Sequence, residues 1–148
     1  MCMFSYRQAT PQDLCIVTEL SLLLWPGHTR EDLDEENARN LANPNNMIFL
    51  AFLSDFAVGF AYCALRYDYV EGTNGGNVGY LEGIYVRPEY QRQGIARALV
   101  TLCEDWSRTR GCCEFASDCE LGNTASLNFH LHLGFAEANR VICFTKKL

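Results

Sequence analysis

One stretch of the chain decides its fold: Val86-Arg87-Pro88-Glu89-Tyr90-Gln91-Arg92-Gln93-Gly94-Ile95-Ala96-Arg97-Ala98-Leu99. An apolar strand over residues 80–86 ends before Pro88, and a polar turn leads into an amphipathic helix that begins near Gly94. The first amides of a helix have no acceptor within the helix and lie at the positive end of its dipole. The stretch therefore predicts a binding site for a phosphate or pyrophosphate group.

Length, hydropathy and charge narrow the class of protein. The 148 residues fit one domain, 1–148. No apolar run approaches the roughly 18 residues of a membrane span, and residues 1–9 lack the pattern of an export signal, so we expect a cytoplasmic protein without a membrane partner. The net charge of −6, without any Lys/Arg-rich stretch, argues against nucleic acid as a partner.

The eight cysteines do not form a metal site by their spacing. The chain has no C-x-x-C pair, and no histidine stands at metal-ligand spacing from a cysteine. We therefore expect no metal, and we expect most of these residues to be small buried side chains in a reducing cytoplasm.

Alternation of predicted strands and helices determines the fold class. Strands are predicted over 4–9, 47–53, 57–67, 78–86, 112–117 and 140–146, and helices over 10–24, 30–41, 94–110 and 124–133. An initial hairpin followed by alternating helices and strands indicates an α/β fold with a mixed sheet and helices on both faces.

Two acidic residues stand where carboxylates carry chemistry. Glu82 lies inside the apolar strand 80–86, where a carboxylate without partners would cost several kcal/mol. It is a candidate to accept a proton from an amine, and the alternative is a glutamate that reaches solvent at a bulge or a strand end. Asp118 follows the strand over 112–117, at the end where α/β sheets place ligands, and its alternative is a turn or helix cap.

Three further residues are candidates to line a ligand-binding cleft. Trp25 and Tyr69 can offer an aromatic face to a sugar ring or a cation, and Glu137 adds a negative charge. The alternative for Trp25 is a place in the core. Gly83, beside Glu82, permits a bulge or a close approach of another group.

The phosphate-site motif resembles a known family. No G-x-G-x-x-G or G-x-x-x-x-G-K-[ST] is present, whereas Gln91-x-x-Gly94-x-Ala96 resembles the Q/R-x-x-G-x-G/A signature of the GCN5-related N-acetyltransferases. The resemblance implies the acetyltransferase fold, with its central sheet splayed at the site of acetyl-coenzyme A. It assigns to this co-substrate the residues Ile84, Tyr85, Val86, Arg92, Gln93, Gly94, Ile95, Ala96, Arg97 and Asn123.

At one catalytic position this chain differs from the family. Family members usually carry a tyrosine about four residues before a closing Gly-Phe pair, and that tyrosine protonates the departing thiolate. Here the closing pair is Gly134-Phe135, and His130 stands where the tyrosine would be. A histidine can donate a proton near neutral pH, and the alternative is a packing role.

Four segments in order are similar to one subgroup, the aminoglycoside 6'-N-acetyltransferases of bacteria: 81–86, 114–118, 133–135 and 144–147. This similarity implies that Trp25, Tyr69, Glu82 and Asp118 contact the antibiotic. An acidic family position near the last strand is Asn139 here, with Glu137 two residues away.

The expected reaction is direct transfer in a ternary complex. Glu82 would help the 6'-ammonium lose its proton, a backbone N–H near Tyr85 would meet the oxyanion, and the thiolate would take a proton from His130 or water. The alternatives are another amine acceptor, such as a protein N-terminus or a polyamine, and a non-catalytic module that only binds acetyl-coenzyme A. A homodimer is also among the expectations.

Overall fold

Five strands form one mixed sheet in the computed structural model, which describes residues 3–148. The strands lie in chain order, the first four antiparallel and the fifth parallel to the fourth, which confirms the predicted mixed sheet. The strands are β1 (Phe4–Gln8), β2 (Asn46–Leu53), β3 (Phe56–Arg66), β4 (Val78–Val86) and β5 (Phe115–Ala116). The helices are α1 (Leu14–Leu24), α2 (Arg30–Ala42), α3 (Ile95–Thr109) and α4 (Thr124–His132).

The chain between β1 and α1 is held by a carboxylate. Asp13 ends the short 3₁₀ turn Pro11–Asp13, accepts a hydrogen bond from the Thr10 amide at 2.8 Å, and receives two more from the guanidinium of Arg7 at 2.7 and 2.8 Å. These bonds stabilise the ionised form and lower the pKa of Asp13 to about 2. The turn thereby fixes the direction in which α1 leaves the sheet.

Apolar side chains fill both faces of the sheet. On one face α3 packs against β3 and β4, with Leu99 and Cys103 buried against Leu81. On the other face α1 and α2 cover β2 and β3, with Leu20 buried against Leu50. This arrangement confirms that helices cover both faces, and it leaves the ends of the strands open as a place for a site.

β4 and β5 separate after a very short pairing. They pair only through Gly79 with Phe115 and Tyr80 with Ala116, and β4 then continues alone on that side to Val86. Gly79 is required at the point of contact, because a Cβ there would lie 2.1 Å from Oγ of Ser107. The two strands therefore diverge into a gap that points towards the start of α3.

The predicted strand over 140–146 is wrong, and the strand predicted over 112–117 is reduced to two residues. Residues 133–148 contain no strand, and Val141, Ile142 and Phe144 are 65%, 77% and 88% exposed. A strand needs a neighbouring backbone for its hydrogen bonds. Within residues 3–148, the outer edge of β5 and the segment 140–146 do not pair, although both carry β-type sequences.

The cysteine prediction is also wrong in part. Cys63, Cys103 and Cys112 are buried, but Cys15, Cys113, Cys119 and Cys143 are exposed, and all seven are free thiols. The exposed four lie on the solvent side of α1, in loops or in the C-terminal segment, where no core is available to cover them. Cys2 lies outside the described residues.

None of the described helices has the length and apolar content needed to cross a bilayer.

Candidate functional site

The turn after β4 presents unpaired amides at the start of α3. Gln91 closes the turn by donating from Nε2 to the carbonyl of Val86 at 3.1 Å, and Gly94 has a φ of +84°, a backbone conformation that favours glycine. The first bond of the helix runs from the Ala98 amide to the carbonyl of Gly94 at 3.0 Å. Among the described residues, the amides of 95–97 have no backbone acceptor, so they are available to an anion.

Residues 91–97, which we call the anion cradle, include most of the residues assigned to acetyl-coenzyme A. Arg92, Gln93, Gly94 and Arg97 are exposed around the amides, whereas Ile95 is buried and anchors the helix in the core. Ile84, Tyr85 and Val86 lie on the part of β4 that β5 leaves unpaired. A pyrophosphate at the cradle and an extended chain along this strand edge would use both features.

Glu82 lies at a β-bulge. Cys63 pairs with Leu81 and Tyr62 with Gly83, so Glu82 is the extra residue of β4. Its side chain turns out of the core, retains 24% exposure and receives three hydrogen bonds from the guanidinium of Arg66, at 2.9, 3.0 and 3.1 Å. Glu82 therefore lies at a bulge, the position named by the alternative to its proton-accepting role, and a bidentate cation lies beside it.

Arg66 connects the two candidate carboxylates. Its guanidinium carbon lies 3.4 Å from the ring centroid of Tyr80, and the hydroxyl of Tyr80 donates a short hydrogen bond to Asp118. Burial, followed by this hydrogen bond to the carboxylate, raises the pKa of Tyr80. Glu82, Arg66, Tyr80 and Asp118 therefore form one continuous polar string across the end of the sheet.

Trp25 follows α1 and packs beside the bulge. A Cβ on Gly83 would lie 2.7 and 2.8 Å from two ring carbons of Trp25, so the missing side chain provides the space for the indole. The ring is partly buried and meets Phe60 edge-on, with centroids 6.3 Å apart. Trp25 thus packs partly in the core, as its alternative expected, and its ring lies against Gly83, the residue after Glu82.

A cleft of about 1240 Å³ opens between β5, α4 and the C-terminal segment. Among the predicted residues it is lined by Tyr69, Asp118, His130 and Glu137, while Trp25, Glu82 and the cradle lie outside its wall. Six carboxylates and three arginines line it. The carboxylates are Glu71, Glu104, Glu114, Asp118, Glu120 and Glu137, so the wall favours cationic ligands.

Polar contacts tie the loop before β4 to the C-terminal segment at the mouth of this cleft. Tyr69 is exposed and donates a short hydrogen bond to Glu71, and Asn139 donates to the other oxygen of Glu71 at 2.8 Å. These two bonds, led by that of Asn139, lower the pKa of Glu71. Glu137 is paired with Arg140, which lowers the pKa of Glu137.

α4 holds the candidate proton donor. The Asn123 side chain accepts from the amide of Ser126 at 3.0 Å, so in this structure Asn123 caps the helix. His130 is half-buried, with Nδ1 2.7 Å from the carbonyl oxygen of Ser126 and Nε2 2.8 Å from Oγ of Ser117. The imidazole is therefore engaged on both nitrogens.

The sequence did not single out Arg66, Tyr80 or Ser117. Arg66 is the lone charge that ends the apolar strand β3, one strand away from Glu82, and this signal could have identified it as a partner. Ser117 stands directly before Asp118 and gives no signal of its own, because its contact with His130 arises only from packing. Within residues 3–148 no group of three or more His, Cys, Asp and Glu side chains could hold a metal ion.

Comparison with known proteins agrees with this geometry. The sequence pattern of the acetyltransferase (GNAT) family matches residues 17–135. The chain is 42% identical over 143 residues to an aminoglycoside N(6')-acetyltransferase type 1 of Stenotrophomonas maltophilia, which covers 96% of this chain and 92% of that protein.

Solved structures give the same result. An aminoglycoside N-acetyltransferase, AAC(6')-Iy, in complex with CoA superimposes with a TM-score of 0.96 at 34% identity, covering 100% of this chain and 97% of that one. AAC(6')-Iy in complex with a bisubstrate analogue, CoA-S-monomethyl-acetylneamine, gives a TM-score of 0.94 at 34% identity, with 99% of each chain covered. The resemblance carried by residues 91–96 is thereby confirmed, and the chain belongs to the GNAT family of acetyltransferases.

Proposed function

We propose that the protein transfers the acetyl group of acetyl-coenzyme A to the 6'-amino group of aminoglycoside antibiotics. The observation that carries the proposal is the presence of both an anion cradle and an acidic cleft: free amides at the start of α3, and six carboxylates that line the cleft between β5, α4 and the C-terminal segment. Relatives that share 34–42% of their residues with this chain are named for action on the same class of drug.

The donor half uses the cradle and the free edge of β4. The amides of 95–97 hold the pyrophosphate, and Arg92 and Arg97 add positive charge around it. Ile84, Tyr85 and Val86 present their backbone to the extended arm, and a backbone N–H near Tyr85 meets the oxyanion. Acetyl-coenzyme A supplies an activated thioester, so the protein needs no covalent intermediate of its own.

The acceptor half uses the polar string of Glu82, Arg66, Tyr80 and Asp118 and the carboxylates that line the cleft. Aminoglycosides are polycations, and the field of Glu71, Asp118 and Glu137 draws them to the cleft. An ammonium that reaches Glu82 competes with Arg66 for the same two oxygens, because Arg66 occupies both. Glu82 then takes the proton of the 6'-ammonium directly or through a water. Holding both substrates together lowers the barrier by about 7–11 kcal/mol.

Thiol release tests the reaction. Purified protein with acetyl-coenzyme A and kanamycin or tobramycin should release free thiol, while an aminoglycoside with a 6'-hydroxyl should not. Release with a peptide or polyamine but with no 6'-amino drug would overturn the acceptor assignment. Binding of acetyl-coenzyme A without release for any amine would indicate a non-catalytic module.

Glu82→Gln tests the base. It should lower kcat/KM for tobramycin by about 10²–10⁴-fold, since a general base contributes that much. Asp55→Asn makes the same chemical change at the exposed β2–β3 turn and should leave kcat/KM unchanged. A Glu82→Gln rate within twofold of the parent would refute the base role.

We infer in addition that the protein is a homodimer through its C-terminal segment. Residues 141–144 are all apolar and exposed: Val141 and Cys143 line the open cleft, and Val141, Ile142 and Phe144 are 65%, 77% and 88% exposed. A segment that is apolar on both sides becomes buried on both sides, and a second copy supplies the missing cover. Light scattering should give twice the chain mass.

A charge in this segment should separate the two copies. Phe144→Asp should halve the mass in solution, whereas Leu23→Asp, at an exposed apolar position of α1, should not. A parent protein that runs as a monomer at micromolar concentration would contradict the dimer.

We also propose that the enzyme acts in the cytoplasm and confers resistance. Its seven described cysteines are free thiols, as suits a reducing compartment. Expression in a susceptible bacterium should raise the inhibitory concentration of kanamycin, and expression of Glu82→Gln should not.

A further inference from the structure

A serine occupies the point at which β4 and β5 part. The last backbone pair is Tyr80 with Ala116, and at the next position the two strands are joined by a side chain: Oγ of Ser117 lies 3.3 Å from the carbonyl oxygen of Leu81. Ser117 is half-buried and lines the cleft. Because it also contacts Leu81, its hydroxyl lies between the two strands at the point where their backbone pairing ends.

His130 reaches this hydroxyl in a fixed tautomer. Nδ1 lies 2.7 Å from the carbonyl oxygen of Ser126 and 3.4 Å from the hydroxyl of the same residue. The shorter contact is with a carbonyl, which only accepts, so we assign the hydrogen of the neutral ring to Nδ1. Phe129 and Phe135 meet the ring edge-on, with centroids 5.5 and 5.2 Å away, and hold its plane. In the neutral ring Nε2 is therefore the acceptor, and its partner at 2.8 Å is Ser117.

The hydrogens of this pair can be counted. A serine hydroxyl has one hydrogen, and beside a neutral imidazole Ser117 donates it to Nε2 of His130. When Nε2 is protonated, it donates to Ser117 instead, and the hydroxyl hydrogen turns towards the carbonyl of Leu81 or into the gap. Ser117 can therefore offer a proton to the gap only when His130 is charged, and Nε2 of His130 lies against Ser117.

We propose that Ser117 delivers the proton to the departing thiolate and that His130 replaces it. As the bond between the carbonyl carbon and sulfur breaks, the sulfur takes the hydroxyl proton of Ser117. Ser117 takes the proton of Nε2, and His130 becomes neutral with its hydrogen on Nδ1; solvent recharges it afterwards. The proposal rests on the acetyl transfer proposed above, and it makes Ser117 the group that touches the reacting sulfur.

The test varies the leaving thiol. An alkyl thiolate needs a proton to leave, whereas an aryl thiolate, being a much weaker base, does not. Initial rates are measured for acetyl-coenzyme A and for two donors without the nucleotide, S-acetyl-N-acetylcysteamine and S-phenyl thioacetate, with tobramycin as acceptor. Ser117→Ala should lower kcat by tenfold or more with the two alkyl thioesters, leave the KM for tobramycin unchanged, and change the rate with the phenyl thioester by less than twofold.

Two variants control for structure. Ser117→Thr keeps the hydroxyl and should restore most of the rate, and Ser5→Ala makes the same deletion on the exposed side of β1 and should change nothing. An equal loss with alkyl and aryl donors, or no loss with acetyl-coenzyme A, would overturn the relay. If the acceptor assignment is wrong, the parent protein releases no thiol with any aminoglycoside, and this result is distinct from a failure of the relay. In that case the parent and Ser117→Ala are compared with the same three donors by measuring thioester hydrolysis without an acceptor.

Discussion

Gly83 leaves the space that Trp25 occupies beside Glu82, so Gly83→Ala should disturb stability and acceptor binding together. The new Cβ would lie 2.7 and 2.8 Å from two carbons of the Trp25 ring, about 1 Å closer than ordinary contact. The ring cannot retreat freely, because Phe60, which is 1% exposed, lies against it. Overpacking of this kind costs about 1–3 kcal/mol.

The expected size of the effect follows from chain length. A protein of 148 residues loses about 3 °C of Tm per kcal/mol, so Gly83→Ala should lower Tm by about 3–9 °C in differential scanning calorimetry. Movement of Trp25 should raise the KM for tobramycin several-fold.

Gly27→Ala is the matched control for this experiment. No atom lies within 4 Å of a Cβ at Gly27, so that variant should keep the Tm of the parent within about 1–2 °C, the effect of a surface change of up to 0.5 kcal/mol. If Gly83→Ala has the Tm of the parent and the same KM for tobramycin, then Trp25 is not packed on the bulge and the reasoning fails.

Two further changes test the local structure around the site. The pKa of Asp13 is lowered from 3.8 to about 2, so this carboxylate stabilises the fold above about pH 4 and loses its effect as pH falls towards 2. Asp13→Asn should therefore lower the free energy of unfolding by about 2 kcal/mol at pH 7, and the free energy measured by urea unfolding should change less between pH 4 and pH 2 than in the parent. An unchanged pH profile would contradict the ion pair with Arg7. Asn123→Ala removes the cap of α4 and should cost about 1 kcal/mol, with Asn123→Asp retaining the stability; equal melting of both variants and the parent would show that the cap contributes nothing.

Local sequence was sufficient for most elements. The predicted hairpin, the central strand over 78–86 and the helix that follows it all agree with the structure within about two residues, because periodicity and turn residues act within one segment. The cradle was equally predictable, since the turn, Gly94 and the free amides lie in one continuous stretch.

The C-terminal segment shows where that approach ends. Residues 140–146 have the composition of a strand, but a strand exists only where another backbone accepts its hydrogen bonds. Within the described residues no such backbone lies beside it, so local propensity predicted an element that the single chain does not form.

The amino-acid sequence by itself determined the fold class, and it singled out residues 91–97, Glu82 and Asp118 as candidates for the site. Only the tertiary structure decided what surrounds them: Arg66 on Glu82, sixteen residues away, and Ser117 against Leu81, thirty-six residues away. These partners depend on strand register, and the bulge at Glu82 shifts that register by one residue. Such a register shift turns every side chain beyond the bulge towards the other face of the sheet. The shift itself depends on how the whole sheet packs.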